Sequence, residues 1–249
     1  MIGSRQWMNL SQGNLSSKEK LQLIQHIIMP VSLGYAQRWL KRPHHNTQLH
    51  LDQISLPDTR VIQEATEILA HCGSPAIIYH SWRCFFWAIA IAQSKSWQFD
   101  MESLLIASLM HDLGLVDSTP SQPCYCFSYL SALKAEQLCQ QHAFPVQRTE
   151  NISNAICLHM NGYLNQENPQ LSKEVLLLQC ATSCDVTAID LASIPLAYQK
   201  QVLEKYPREN FNQVFNILTK QEAQRCPQSR TALLRQLGLS LMIKSNGFE

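Results

Sequence analysis

The stretch FDMESLLIASLMHDLGL, residues 99–115, decides how the rest of the chain is read. Asp100 is a helix-capping type of residue, and Gly114 is the next helix breaker. The spacing predicts a helix that Asp100 caps and that ends near His111. Apolar residues surround His111 and Asp112 at its end. Burying one unpaired imidazole or carboxylate in such a setting costs roughly several kcal/mol. Groups of this type that converge on one divalent cation remove that cost together.

Working outward, two more helices end, or nearly end, in a residue of ligand type. His80 lies upstream in IIYHSWR and Asp185 lies downstream in ATSCDVTAID, both among apolar neighbours. Imidazole and carboxylate together suit one divalent transition metal, Zn²⁺, Fe²⁺ or Mn²⁺, better than Ca²⁺ or Mg²⁺. Four protein ligands in an octahedral shell leave room for water, and a metal lowers that water's pKa toward neutrality.

Almost everything else also reads as helix, because apolar residues recur at spacings of three and four with few strict alternations. Leu21, Ile24, Ile27, Ile28 and Val31 predict a helix over 17–40, bent at Pro30. Residues 43–52 (PHHNTQLHLD) read as a polar connection. Asp58 is expected to cap a helix running to about residue 70, and Gly73, Ser74 and Pro75 break it. Further helices are expected over 76–92, 127–142, 145–159 and 171–189, with loops over 117–126 and 161–170. Pro195, Pro207 and Pro227 punctuate a C-terminal set. No internal repeat or linker-like composition is visible, so the expectation is one all-α domain, 55–249, behind an N-terminal helical extension, 1–54.

Composition excludes several classes. Lys+Arg is 20 against Asp+Glu 19, a balance that leaves no electrostatic footprint for nucleic acid or an anionic membrane. Hydrophobic residues make up 45%, ample for a core, so disorder is not expected. The longest apolar run, about residues 85–92, is far short of the roughly 20 residues that span a bilayer. The opening MIGSRQWMNLSQGNLSSKEK lacks the apolar centre of a signal peptide. Nine cysteines is an odd count without framework spacing, which fits thiols in a reducing compartment and a cytoplasmic protein. Cys124 and Cys126 form a CxC with no second pair nearby, so they read as spare thiols rather than a zinc knuckle.

At this point the sequence resembles the HD-domain metalloenzyme superfamily, and within it the cyanamide hydratase-like branch. The resemblance runs over about residues 56–241. It rests on LPDT at 56–59, HSWR at 80–83, the stretch at 99–115, AICLH at 155–159, CDV at 184–186, and the YPR around Pro207 and Arg208. It implies an HD-type helical bundle with N- and C-terminal helical extensions. It also implies metal ligation by His80, His111, Asp112 and Asp185. Asp112 could accept a hydrogen bond from the attacking water, His159 could relay a proton, and Arg83, one turn after His80, could hold a ligand carboxylate or a substrate anion. The implied function is a hydrolase or hydratase acting on a small molecule through metal-activated water. The alternatives are a phosphohydrolase on a nucleotide or phosphomonoester, and a non-catalytic protein that binds a ligand or partner. A homo-oligomer is compatible with all three. The N-terminal helix could serve as a dimer contact, a lid or, most simply, a cap on its own domain.

The chain departs from that branch in places. FSYLSA carries Ser128 where relatives have an acid and Ser131 where they have glycine, and Met160 follows His159 where relatives have a small hydroxyl residue. A second metal would need more histidines between HD and the last Asp. His142 and His159 are the only candidates, so one metal is expected. Some phosphohydrolase members place Lys shortly after HD; here that position is Leu115. Trp82, Phe85, Phe86 and Trp87 are expected to pack the core, with one or two walling a small apolar pocket suited to a neutral substrate.

Overall fold

The computed structural model describes residues 1–40, 49–117 and 125–248. They form thirteen α-helices: α1 Arg5–Ser11, α2 Ser17–Leu40, α3 Arg60–Ala70, α4 Pro75–Lys95, α5 Met101–Met110, α6 Leu113–Val116, α7 Phe127–Gln141, α8 Val146–Leu158, α9 Lys173–Thr187, α10 Leu196–Lys205, α11 Phe211–Arg225, α12 Arg230–Gln236 and α13 Leu239–Lys244. Short 3₁₀ turns lie at Leu51–Gln53, His159–Asn161 and Leu191–Ser193, and no strand occurs among the described residues. The fold is all-α, as the spacing predicts. Most of the polar connection at 43–52 and of the loop at 117–126, with Cys124, lies outside the described residues.

Helices α4, α5, α8 and α9 form the centre. Every residue of α5 from Ser103 to Met110 is buried, so this helix has no solvent face. Its start is fixed by the Asp100 carboxylate, which accepts from the backbone N–H of Glu102 and Ser103. Asp58 does not cap α3. Thr59 holds the cap position without a side-chain bond, and Asp58 accepts instead from the Gln63 side chain. His80 lies within the first two turns of α4 rather than near its end, because that helix begins at Pro75 and runs on to Lys95. The apolar body of α4 then fills the core, with Phe85, Phe86 and Trp87 all buried.

Gly114 lets the chain turn immediately after the His111–Asp112 pair. A Cβ there would stand 2.3 Å from the carbonyl oxygen of Phe127. Its N–H donates to the Ser131 hydroxyl at 2.8 Å, so α7 is pinned directly beneath the turn. The N-terminal helices pack on the same body: Met8 is wholly buried, and the Arg5 guanidinium pairs with Glu136 of α7. On α2 the expected apolar stripe is only partly the buried one. Leu23 and Ile27 are buried, whereas Leu21 and Ile28 remain about half exposed. Among the described residues seven cysteines are free thiols, all buried except Cys72. Cys226 is disulfide-bonded, a departure from the expectation of reduced thiols.

Candidate metal centre

Three helical segments bring four side chains to one point. His80 comes from α4, His111 and Asp112 from the turn after α5, and His159 from the turn after α8. His80 Nε2 and His111 Nε2 are 3.2 Å apart, and each is 3.5 Å from Asp112 Oδ2. His159 Nε2 faces the other carboxylate oxygen, Asp112 Oδ1, at 3.6 Å.

The outer nitrogen of each ring is already engaged. His80 Nδ1 bonds Asp185 Oδ2 at 2.7 Å, His111 Nδ1 the carbonyl of Ser108 at 2.7 Å, and His159 Nδ1 the carbonyl of Ile156 at 2.6 Å. The carbonyls require Nδ1–H donors in the last two, and a carboxylate requires one in the first, so all three rings turn an Nε2 lone pair inward. Burial, opposed by Asp185, lowers the pKa of His80. Burial, then the neighbouring His111, holds His159 well below its ordinary value. Both are therefore neutral near pH 7, the state in which imidazole ligates.

Asp112 is 1% exposed, and neither of its carboxylate oxygens has a hydrogen-bond donor. A bare carboxylate facing three imidazole lone pairs is electrostatically unfavourable in itself. A divalent cation resolves it. With metal–ligand bonds of about 2.0–2.2 Å, neighbouring donor atoms stand about 3.0–3.5 Å apart, and the observed spacings of 3.2 and 3.5 Å fit that range.

Asp185, from α9, is held differently. Its Oδ1 accepts from Arg83 Nε and Trp87 Nε1, both at 2.8 Å, and its Oδ2 accepts from Arg83 Nη2 at 2.9 Å and from His80. Burial pushes this carboxyl up, but Arg83, Arg208 and the bonds from His80 and Arg83 outweigh it and hold the group well below the usual carboxylate range. Arg83 thus spends its fork on Asp185, while its Nη1 reaches the carbonyls of Tyr206 and Pro207. His80 also stacks on Phe211, with centroids 4.4 Å apart.

Sequence reasoning missed several partners. Trp87, expected to pack the core or wall a pocket, donates to Asp185. Arg208 and Asn246 hold the backbone carbonyl of Asp185; their separation along the chain hides this. Cys84 lies 3.6 Å from both His80 ring nitrogens, and its place one turn after His80 was a usable signal. Burial pushes its thiol well up, so it stays protonated. His142 pairs with Glu64 on the surface of α3, away from the cluster. The departures from the branch have local roles: Ser131 accepts from Gly114, and Ser128 accepts from the buried Arg230 at 2.8 Å. Trp82, Phe85, Phe86 and Trp87 do not line the cavity over the cluster. Its aromatic wall is Phe215.

Residues 77–188 match the family model described as HD domain. That match supports the expected superfamily resemblance. Over 185 residues it is also 23% identical to the cyanamide hydratases DDI2 and DDI3 of Saccharomyces cerevisiae, a span of 72% of this chain and 79% of each relative. These similarities and the buried His/Asp cluster support metal-dependent hydrolytic chemistry in general terms. No helix among the described residues is long and apolar enough to cross a membrane.

Proposed function

We propose that this protein is a mononuclear metal-dependent hydratase or hydrolase that adds water to a small uncharged molecule, in the manner the relatives' name suggests for cyanamide. The observation that carries this reading is the buried Asp112 carboxylate, without a donor on either oxygen and ringed by imidazole lone pairs. His80, His111 and Asp112, whose donor atoms face one another, would hold one Zn²⁺, Fe²⁺ or Mn²⁺ ion, whereas Asp185, the fourth ligand in the sequence expectation, is taken up by Arg83, Trp87 and the outer nitrogen of His80. Bound there, the ion would supply Lewis acidity and bring the pKa of water toward neutrality.

The chain's own groups do the rest. Asp185 fixes the His80 ring through Nδ1, and Arg83 and Trp87 fix Asp185 in turn. Asp112 Oδ1 is free to accept a proton-bearing water, orienting it toward the substrate. His159 Nε2, 3.6 Å from that oxygen, would take a proton from the water and return it to the product. In hydration of a nitrile-type group, the carbon gains the water oxygen and the nitrogen gains both protons, so one relay serves both transfers. A phosphohydrolase reading is less well supported, because no lysine or arginine lines the cavity over the cluster among the described residues.

The test is elemental analysis of protein purified without added metal, followed by parallel assays for urea or ammonia release and for phosphate release. One equivalent of a transition metal with urea formed from cyanamide is the expected outcome. Phosphate release alone, or a metal-free protein with no activity after metal addition, would overturn the reading.

A further inference from the structure

The cluster forms one end of a cavity of about 340 Å³. Away from it the walls are mostly aliphatic or aromatic. Ile27 and Val31 come from α2, Val186 from α9, Phe215 from α11, and Leu239 and Met242 from α13. The only polar side chains on the cavity beyond the cluster are serine and threonine hydroxyls, and no charged side chain other than Asp112 lines it among the described residues. Ile28 and Leu237 also line it and stay partly exposed, at 48% and 37%, so the cavity meets solvent across an apolar rim.

These walls do not match a substrate of three heavy atoms. Cavities of this size accommodate drug-sized ligands (about 300–1,000 Å³). A small polar substrate on the cluster would leave most of the apolar wall against water, an arrangement that contributes no binding energy. A phosphate or carboxylate would find no cation on the walls to neutralise it. The N-terminal extension matters here, because α2 supplies one side of the cavity and Ile27 is itself buried there.

We propose that the natural substrate is an uncharged molecule with a hydrocarbon body, whose reacting polar group lies on the His80–His111–Asp112–His159 cluster while its apolar part fills the cavity between α2, α9, α11 and α13. This rests on the hydratase or hydrolase reading for its chemistry, but its basis is the shape and polarity of the walls. The chemistry balances for a substituted cyanamide: R–NH–C≡N and water give R–NH–CO–NH₂, with the oxygen on the former nitrile carbon and both protons on the former nitrile nitrogen.

The experiment uses full-length, metal-loaded protein with cyanamide and its N-propyl, N-hexyl and N-octyl derivatives. Binding is measured by calorimetry, and formation of the matching ureas by chromatography. Affinity is expected to rise roughly three- to fourfold per methylene and to level off when the cavity is filled. Val31→Phe should move that levelling to a shorter chain. A gradient in binding without urea formation supports the substrate class and counts against hydration as the reaction. Turnover of cyanamide with no gain along the series overturns the inference and leaves the hydratase reading in place. Failure of every member to bind overturns the inference as well.

Discussion

Two aspartates separated by 73 residues (185 − 112) lie beside the same imidazole and do opposite things. Asp112 is buried with no donor on either oxygen; Asp185 is buried with a donor on every side. Substitution should separate them. Asp112→Asn removes an uncompensated charge, so the metal-free variant should be more stable than the parent, by about 1–3 kcal/mol in denaturant titration. It should also lose the ability to retain a transition metal through gel filtration. A metal-free variant that is less stable than the parent would show that Asp112 is satisfied without a cation. Asp185→Asn strips the buried Arg83 guanidinium of its carboxylate and should destabilise the fold by about 3–5 kcal/mol even without metal. A melting temperature unchanged from the parent would refute that role.

At the scale of elements, the turn from α5 into α6 depends on one glycine. Gly114→Ala would put a methyl group against the Phe127 carbonyl, backbone that cannot swing aside as a side chain can. The expected cost is about 1–3 kcal/mol, together with weaker metal retention, because α7 must shift away from the His111–Asp112 turn. Equal metal retention by parent and variant would show that the turn tolerates the shift. The attachment of α1 is electrostatic as well as apolar. Burial raises the Glu136 pKa, but bonds from Arg5 and Ser153 outweigh it and leave the carboxyl below its ordinary value. A depressed folded-state pKa stabilises the fold above the unfolded value of about 4.3 and ceases to do so as pH falls through the folded value. The stability gap between the parent and Glu136→Gln should therefore be level from pH 7 to about pH 5 and close in more acid solution. It should not exceed about 1 kcal/mol, since the pair is partly solvated. Urea titrations at a series of pH values read this directly.

For the whole molecule, the candidate metal centre links elements from distant parts of the chain, so its occupancy and global stability should be coupled. At a free metal concentration 100-fold above Kd, binding adds about 2.7 kcal/mol. The melting temperature should rise on metal addition and fall back on chelation, while His111→Ala should show neither response. The same convergence makes the cavity, whose walls come from both ends of the chain. Truncating α2 or α13 should therefore change which substrates bind before it changes metal content.

Much of the site was legible in residues 99–115. A capping aspartate, an apolar run, a His-Asp pair and a glycine specify a buried helix that ends in ligand-type groups, since burial and backbone freedom are properties of local sequence. The outer His80 and Asp185 were readable for the same reason, as polar residues in apolar helices that no local partner could satisfy. Helix boundaries were legible where caps and breakers stand, as at Asp100 and Pro75, and not at Asp58, where Thr59 took the position. The sequence by itself thus determined an all-α body and the residue types gathered at its centre. Only the tertiary structure decided that Asp185 serves Arg83, Trp87 and His80 while Asp112 serves none, and that α2 and α13 wall the same cavity over the cluster. The physical reason is that a hydrogen bond or a cavity wall depends on distance in space. Trp87 and Asp185, which bond, and Val31 and Leu239, which line one cavity, are far apart along the chain, and no local propensity encodes either pairing.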